Sequence, residues 1–324
     1  MRSGLLELLE RSRGQTVSGE EMAGALGCTR AAIWKAVKAL RQEGYDIQAG
    51  PNRGYLLAGN SGCPAVESIR PYLNDPDVYM EVCRELGSTN QEARQRAISG
   101  EAGHGSFVLA QSQSAGRGRR GRNFYSPDGA GLYLSVVLRP KGSLRESLIL
   151  TAEAAVAVYK AVRELTGIEL DIKWVNDLYL NGRKVCGILT EAVTDFESGE
   201  IEFAVVGIGI NLYREEQGFP PELEDVAGAL YPDKASAEGL NRSRLAAELV
   251  NRLLEETREL KLPPEYRERS MLLGKEIRIS GGSRTGTAQA LDICPDGRLK
   301  VRMEDGTECI LSCGEVSVTP QNIS

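Results

Sequence analysis

The hydrophobic pattern of this chain changes twice, near residues 60 and 270, and so divides the sequence into three segments. Residues 1–60 have helical periodicity followed by two short strands, residues 66–270 alternate between strands and helices, and residues 271–324 contain only short strands. A chain of 324 residues is long enough for two or three domains, each with its own core. The pattern therefore predicts a multidomain α+β protein with these segments as its domains.

The first segment has the order of elements of a winged helix-turn-helix domain. An amphipathic helix over 3–12 precedes a second helix that begins at a Ser18–Glu21 capping box, and a third helix begins after Thr29. Two strands around the turn at 50–54 would form the wing. Residues 1–60 hold eight lysines and arginines against six acidic residues, whereas the whole chain has a net charge of −6. The basic excess of this segment favours a DNA-binding role.

The basic residues of the third helix lie opposite its apolar positions Ile33, Val37 and Leu40, where a recognition helix meets phosphates. Because the whole chain is acidic, DNA contact must come from this local patch rather than from a general coating of nucleic acid. A solvated face or a protein-binding module is the alternative. The residues predicted to contact DNA are Thr29, Arg30, Lys35, Lys38, Arg41, Asn52 and Arg53.

The other two segments predict a mixed α/β domain and a small β-barrel. In the C-terminal segment, four short strands are separated by the turn sequences GG, PDG and EDG, which is typical of a barrel. In the central segment, strands are predicted over 107–111, 132–138, 172–175, 184–193 and 202–212, and helices over 144–166 and 243–260.

Cysteine and histidine usage excludes several kinds of site. The seven cysteines are odd in number and form no CxxC pair, which is typical of free thiols in a reducing compartment. His104 is the only histidine, so a zinc site or a Ser-His-Asp triad at any other histidine is excluded. No stretch approaches the ~20 apolar residues of a membrane-spanning helix. The sequence predicts a cytoplasmic protein without a membrane partner.

Residues 113–122, QSAGRGRRGR, contain four arginines and three glycines between two predicted apolar strands. Glycines let backbone N–H groups approach a ligand closely, and arginines bind carboxylate and phosphate oxygens. Because like charges repel, we expect this loop to be mobile until an anion binds. The alternative is a basic RNA-binding or localisation tract, but such tails do not lie between strands inside a folded domain.

Two further stretches, KWVNDLYLNGRKVCGILTE (173–191) and GSTN (87–90), carry polar groups in apolar surroundings. Period-two alternation places Lys184 on the same strand face as Cys186 and Ile188, where an ammonium group needs an anionic partner, unless it only protects an edge strand. Asn176 and Asp177 are either ligands of phosphate and Mg²⁺ or turn residues. GSTN opens a helix, so it forms either a polar cradle or a plain N-cap.

Taken together and in this order, GSTN, QSAGRGRRGR, KWVNDLYLNGRKVCGIL and GIGINL resemble biotin–protein ligases. With the N-terminal winged helix, the chain resembles the family members that also repress the biotin operon. The resemblance implies three domains: a winged helix-turn-helix over 1–60, a class II synthetase-like ligase domain over 66–270 and an SH3-like barrel over 271–324.

The resemblance also implies an activity and its partners. The family joins biotin to ATP, with Mg²⁺, as biotinyl-5′-AMP and then passes the biotinyl group to one lysine of a biotin carboxyl carrier protein. The adenylate would act as corepressor by favouring a homodimer on operator DNA. The chain would then be a biotin–[acetyl-CoA-carboxylase] ligase and a transcriptional repressor.

Site residues follow from the same resemblance, position by position. Catalytic roles fall to Arg117, Arg119 and Lys184. Biotin would be bound by Ser88, Thr89, Asn90, Gln113, Gly116, Arg117, Gly118, Arg119, Lys184 and Gly187. The nucleotide would be bound by Arg119, Arg122, Phe124, Lys173, Asn176 and Asn211, and Mg²⁺ by Asp177.

Two positions depart from the family pattern. Val175 stands where proline is usual, which would relax the turn, and Phe124 stands where a tryptophan packs on adenine, which would weaken the hold on the adenylate. The residues leave two alternative functions open: a lipoate–protein ligase, and a regulator that senses biotin or a nucleotide without catalysis. The winged helix and the arginine-rich loop argue against the first, and Arg119 with Lys184 argues against the second.

Overall fold

The N-terminal domain is a winged helix-turn-helix, as predicted. Ser18 Oγ accepts a hydrogen bond from Glu21 N at 3.0 Å and Thr29 Oγ1 accepts one from Ala32 N at 3.2 Å, so both predicted helix starts are confirmed. A three-stranded sheet with the order β1-β3-β2 packs on the helices. Its elements are α1 (Arg2–Arg11), β1 (Thr16–Val17), α2 (Gly19–Ala25), α3 (Arg30–Gln42), β2 (Ile47–Gly50) and β3 (Gly54–Leu57).

The computed structural model describes most residues of the chain, but not all of them. Asn52 and Arg53, which were predicted to contact DNA, lie outside the described residues, as does the start of the predicted helix 144–166. The described residues are 1–50, 54–58, 64–141, 147–195, 197, 200–280 and 285–312, together with the backbone of 317–320.

A short segment after the winged helix ties it to the central domain. This segment contains α4 (Val66–Ile69) and a 3₁₀ turn (Arg70–Tyr72). The Tyr72 hydroxyl donates to Glu10 Oε2 at 3.0 Å and accepts from Asn241 Nδ2 at 3.2 Å. Glu10 is buried on α1 and also accepts from Arg13 Nε at 2.8 Å. One buried carboxylate therefore joins the two domains.

The central domain is built on a seven-stranded sheet with the order β4-β5-β6-β10-β9-β8-β7. Strands β4 and β5 are parallel, and the other neighbours are antiparallel. The strands are β4 (Met80–Leu86), β5 (Phe107–Gln113), β6 (Gly131–Leu138), β7 (Asp171–Lys173), β8 (Asp177–Leu180), β9 (Arg183–Thr194) and β10 (Ile201–Asn211). The helices are α5 (Thr89–Ile98), α6 (Ser147–Thr166), α7 (Arg242–Glu256) and α8 (Pro264–Glu268).

The sequence predicts most of these elements, but β4 was missed because its burial is only intermediate and it has no clean alternation. Helix α6 lies in the core and is apolar along most of its length. Even so, among the described residues no helix combines the length and the apolar character that a membrane crossing requires.

The C-terminal segment forms a five-stranded antiparallel sheet with the order β14-β13-β12-β11-β15. One contact attaches this segment to the turn after β7: Trp174 Nε1 donates to Gly297 O at 2.9 Å. The same turn is also bonded within the central domain, where the Tyr266 hydroxyl on α8 donates to Val175 O at 2.7 Å. The peptide bond between Trp174 and Val175 is cis. The strands are β11 (Glu276–Ser280), β12 (Gly286–Ile293), β13 (Leu299–Met303), β14 (Glu308–Leu311) and β15 (Ser317–Pro320).

Helix α6 contains a fully buried carboxyl group. Glu153 Oε1 accepts a hydrogen bond from Lys261 N at 3.1 Å, and Oε2 has no hydrogen-bond partner within the described part of the chain. Burial raises the pKa of Glu153 to about 8, although the Lys261 N–H favours the charged form. The folded protein therefore keeps a proton on this group at neutral pH.

Glu153→Gln is expected to make stability less dependent on pH. The unfolded chain loses this proton above pH 4.5, whereas the folded chain holds it up to about pH 8, so the wild type loses stability as the pH rises between these values. Glutamine mimics the protonated acid, so the variant should gain roughly 2–4 kcal/mol at pH 8 and little at pH 5. Thermal unfolding from pH 5 to pH 8 measures the difference.

The matched control is Glu238→Gln, which removes an exposed carboxylate. Its melting temperature should follow the wild type in parallel across this pH range. If the melting temperature of Glu153→Gln also ran parallel to that of the wild type across this pH range, the buried proton on Glu153 would be disproved.

Candidate active site and DNA-binding surface

A cleft opens between the start of α5, the strands β9 and β10, and residues 114–124, which we call the arginine loop. Its floor is formed by Gly187, Gly207 and Gly209. A Cβ atom on Gly209 would lie 2.5 Å from Phe124 Cε1, and one on Gly207 would clash with the Asn90 side chain. The lining residues include most of those predicted for biotin. They are Ser88, Thr89, Asn90, Gln113, Arg117, Gly118, Arg119, Phe124, Asn176, Lys184, Gly187, Ile188, Leu189, Gly207, Ile208 and Gly209.

One end of the cleft is a buried network of neutral polar groups. Thr89 N and Thr89 Oγ1 donate to Gln113 Oε1 at 2.9 and 3.1 Å, and Gln113 Nε2 donates to Ser126 Oγ at 2.9 Å. Ser88 is buried at the start of α5, yet its hydroxyl does not cap the helix and makes no hydrogen bond among the described residues. Plain N-capping therefore does not account for Ser88, and its hydroxyl can bond a ligand.

The opposite end of the cleft is cationic. Lys184 Nζ lies 2.7 Å from Asp177 Oδ1, and Arg119 Nη1 donates to Asn176 Oδ1 at 3.3 Å. Lys173 Nζ donates to the Tyr179 hydroxyl at 3.3 Å, and burial lowers the pKa of this lysine while Asp177 opposes that shift. Arg119 and Lys184 line the cleft and Lys173 lines the cavity beside it, so three cations converge where an anion can be held.

A second cavity adjoins the cationic end. It shares Gly118, Arg119, Phe124, Asn176 and Lys184 with the cleft, so the two spaces lie side by side. The rest of its lining includes residues predicted for the nucleotide or Mg²⁺ and two apolar residues that carried no signal in the sequence. The first group is Arg122, Lys173 and Asp177, and the apolar residues are Leu223 and Val226. Val226 is half exposed on an irregular loop, and its place beside this cavity is visible only in the structure.

The predicted strand face of Lys184 is wrong. A β-bulge interrupts the pairing of β8 with β9, because Tyr179 pairs with Lys184 while Leu178 pairs with Cys186. The extra residue shifts the alternation, so Cys186 lies in the core, whereas Lys184 Nζ is only 3.2 Å from the Cβ position of Gly187. The bulge thus turns the ammonium group toward the cleft.

Two predicted residues are placed apart from the cationic group. Arg117 Nη1 forms an ion pair with Glu191 Oε1 at 3.1 Å, so its guanidinium group is directed to β9. Asn211 Nδ2 donates to Gly228 O at 2.8 Å, and this residue lines a separate small cavity beside Tyr133. Glu191 ends the stretch 173–191, but the sequence analysis assigned it no role.

The arginine loop has a defined backbone conformation. Gly118 N donates to Arg122 O at 2.7 Å, and Phe124 N donates to Gly116 O at 2.9 Å. A Cβ atom on Gly116 would clash with Phe124 O, which explains the need for glycine there. The expected mobility of the ligand-free loop stays a prediction.

Helix α3 presents an exposed basic face that includes an aromatic ring. Trp34 is 56% exposed, and Lys38 Nζ lies 5.7 Å from the centre of its ring. Arg30 and Lys35 are also exposed. Arg41 differs from these residues, because its Nε donates to Ile47 O at 2.7 Å and so ties the helix to the wing.

The residues offer little for a resident metal ion. No group of three or more histidine, cysteine or acidic side chains comes together in the described ranges. Asp177, predicted for Mg²⁺, is paired with Lys184. A single carboxylate suits a magnesium ion only when substrate phosphates complete its shell.

The comparisons agree with this arrangement. The biotin/lipoate A/B protein ligase family model matches residues 82–211, and an HTH domain model matches residues 2–56. The protein thus combines a ligase domain of the biotin/lipoate family with an N-terminal helix-turn-helix domain. The biotin protein ligase of Aquifex aeolicus, solved with biotin and ATP, aligns with a TM-score of 0.63 and 25% identity over 75% of this chain and 99% of its own.

Curated relatives place the chain more narrowly. The bifunctional ligase/repressor BirA of Bacillus spizizenii is 33% identical over 319 residues, which cover 96% of this chain and 97% of that protein. The BirA of Bacillus subtilis is 37% identical over 75% of this chain and 74% of its own length. The chain belongs to the bifunctional ligase/repressor family of biotin protein ligases, which confirms the predicted family and fold class.

Proposed function

We propose that the chain activates biotin with ATP and transfers the biotinyl group to a lysine of a biotin carboxyl carrier protein. The observation that carries this proposal is a cleft with a neutral polar end and a cationic end, beside a second cavity that shares its cations. The first suits the ureido ring of biotin, and the second suits its carboxylate beside the ATP phosphates. Biotin and ATP occur together in the Aquifex aeolicus ligase complex.

Both chemical steps need positioning and charge rather than a protein nucleophile. In the first step, a biotin carboxylate oxygen bonds to the α-phosphorus of ATP while the bond to pyrophosphate breaks. Arg119, Lys173 and Lys184 would offset the repulsion between these anions. In the second step, the neutral carrier lysine attacks the acyl carbon, AMP leaves, and the amine loses a proton. Mg²⁺ would enter with ATP and face Asp177.

Biotin-dependent ATP–pyrophosphate exchange by the full-length protein tests the first step, with lipoate as the control substrate. We expect exchange with biotin and none with lipoate. Exchange with lipoate alone would favour a lipoate–protein ligase. Binding of biotin without exchange would leave the protein as a sensor, and biotin transfer to a carrier domain tests the second step.

We also propose that the winged helix binds operator DNA and represses transcription when the cleft holds biotinyl-5′-AMP. The exposed basic face of α3 supports this, because it offers Arg30, Lys35 and Lys38 to phosphates and Trp34 to thymine methyl groups or sugars. The adenylate would favour a homodimer on a two-fold operator, and the carrier protein would compete for the same state. Equal sedimentation of the free and adenylate-bound forms would disprove the dimer.

Lys38→Gln and Trp34→Ala are expected to weaken DNA binding in different ways. A lysine that neutralises a DNA phosphate releases counterions from the DNA. Lys38→Gln should therefore reduce the magnitude of the slope of log K for DNA binding against log salt concentration by about one. Trp34→Ala removes an uncharged contact, so it should lower affinity about three- to ten-fold without changing the slope. Fluorescence anisotropy with a duplex selected from a random library by the full-length protein measures both quantities.

The control for both variants is Lys141→Gln, an exposed lysine outside the winged helix. Unchanged affinity in both α3 variants would move DNA recognition to another surface, such as the wing around residues 52–53.

A further inference from the structure

We infer that Glu191 is a positioning residue that holds the arginine loop closed over the cleft through Arg117. Glu191 Oε1 lies 3.1 Å from Arg117 Nη1, and Glu191 Oε2 accepts from Asn90 Nδ2 at 2.8 Å. One carboxylate therefore joins the loop to the start of α5 across β9. We call these three side chains the loop clasp. The inference deepens the proposed function and rests on it, since closure matters only if the cleft binds a ligand.

The clasp has a rigid base. Asn90 is buried, its Oδ1 accepts from Ser135 Oγ at 2.6 Å, and its Nδ2 also donates to Leu189 O at 3.2 Å. Gly207 leaves the space that the Asn90 amide occupies. Because Asn90 is bonded on both sides, it fixes Glu191, and Glu191 then fixes the more exposed Arg117.

The clasp divides the charges of the loop between two tasks. Arg119 contacts Asn176 at the cationic end of the cleft, whereas Arg117 is paired with Glu191 at the other end. The Glu191 carboxylate also lowers the repulsion among closely spaced arginines, which would otherwise favour an open loop. Arg117 is therefore assigned to loop closure, and the resemblance-based catalytic role falls to Arg119 and Lys184.

The expected effect is moderate, because the Arg117 side chain is 44% exposed and the Glu191 side chain 25% exposed. Breaking the clasp should speed the release of biotinyl-5′-AMP about three- to five-fold. The KM for biotin should rise by a larger factor than kcat falls, since the cationic end is untouched.

The experiment compares Glu191→Gln, Arg117→Gln and the double variant of the full-length protein. Radiolabelled biotinyl-5′-AMP is formed in situ, and its release is followed by rapid filtration. Each single variant should release it three- to five-fold faster, and the double variant no faster than either, because both changes break the same contact. Glu191→Asp should lie between wild type and Glu191→Gln. Glu202→Gln removes an exposed carboxylate from the neighbouring strand β10 and is the matched control.

Additive effects in the double variant, or unchanged release in Glu191→Gln, would overturn the clasp. Slower release would overturn it too, because it would mean that Arg117 leaves Glu191 to bind the ligand. If the wild type forms no adenylate, the proposed function fails instead. Amide hydrogen exchange of residues 116–123 in the ligand-free protein then tests the clasp alone: faster exchange in Glu191→Gln supports it, and unchanged exchange overturns it.

Discussion

Replacing Lys184 by glutamine is expected to lower kcat/KM for biotin-dependent ATP–pyrophosphate exchange by about 10²- to 10³-fold. The ammonium group lies 2.7 Å from Asp177 and is turned into the cleft by the bulge in β9. Glutamine keeps a polar side chain that is one atom shorter, but it removes the charge that would offset two anions. It also leaves the Asp177 carboxylate without its cation, which adds repulsion at the place where the anions meet.

A second variant separates these two causes. If the unpaired carboxylate contributes, Lys184→Gln combined with Asp177→Asn should recover part of the lost exchange rate, whereas loss of the cation alone predicts no recovery. Lys234→Gln, an exposed lysine, should exchange like the wild type. Exchange by Lys184→Gln within three-fold of the wild type would mean that the ammonium group does not act on the reacting anions.

The sequence predicted the winged helix well because its signals are local. Ser18 and Thr29 cap their helices as expected, and the apolar positions Ile33, Val37 and Leu40 are buried. Capping and helical periodicity depend on residues three or four positions apart, so a single sequence contains them. The same holds for the four strands predicted in the C-terminal sheet, where turn sequences separate the strands.

Features of the cleft that depend on distant residues could not be predicted in the same way. The bulge between β8 and β9 reversed the expected face of Lys184, because period-two alternation assumes an uninterrupted ladder. Glu191 is separated by 74 positions from the arginine it binds, and nothing near it in sequence indicates that pairing. Asn211 was predicted to bind the nucleotide, yet its side-chain amide donates a hydrogen bond to Gly228 O. Motifs identified the cleft, whereas tertiary contacts decide the task of each side chain.

Contacts between distant residues also join the winged helix to the central domain. The Glu10 carboxylate joins α1 to Tyr72, and Tyr72 in turn contacts Asn241 at the start of α7 in the central domain. The winged helix is therefore held against the central domain by hydrogen bonds between partly buried side chains.

Arg119→Gly is expected to release biotinyl-5′-AMP about 10²-fold faster than the wild type. The guanidinium group lies at the cationic end of the cleft beside Asn176, where charge-assisted hydrogen bonds to a phosphate contribute about 1.5–3 kcal/mol each. Glycine removes these bonds and adds backbone freedom to a loop that must stay closed. Adenylate formation should fall less than retention, because Lys173 and Lys184 still face the anions. Release of radiolabelled adenylate measures the rate.

Arg120→Gly is the comparison variant from the next position of the loop, where the side chain borders the second cavity. It removes the same charge from the next position of the loop, and Arg120 is exposed with a φ of 58°, a conformation that glycine adopts readily. We expect its release rate to stay within two- to three-fold of the wild type. If both variants released the adenylate equally fast, the loop would act through its total charge. If Arg119→Gly retained the adenylate as long as the wild type, the guanidinium group would not be the anion clamp, and Lys184 would be the remaining candidate.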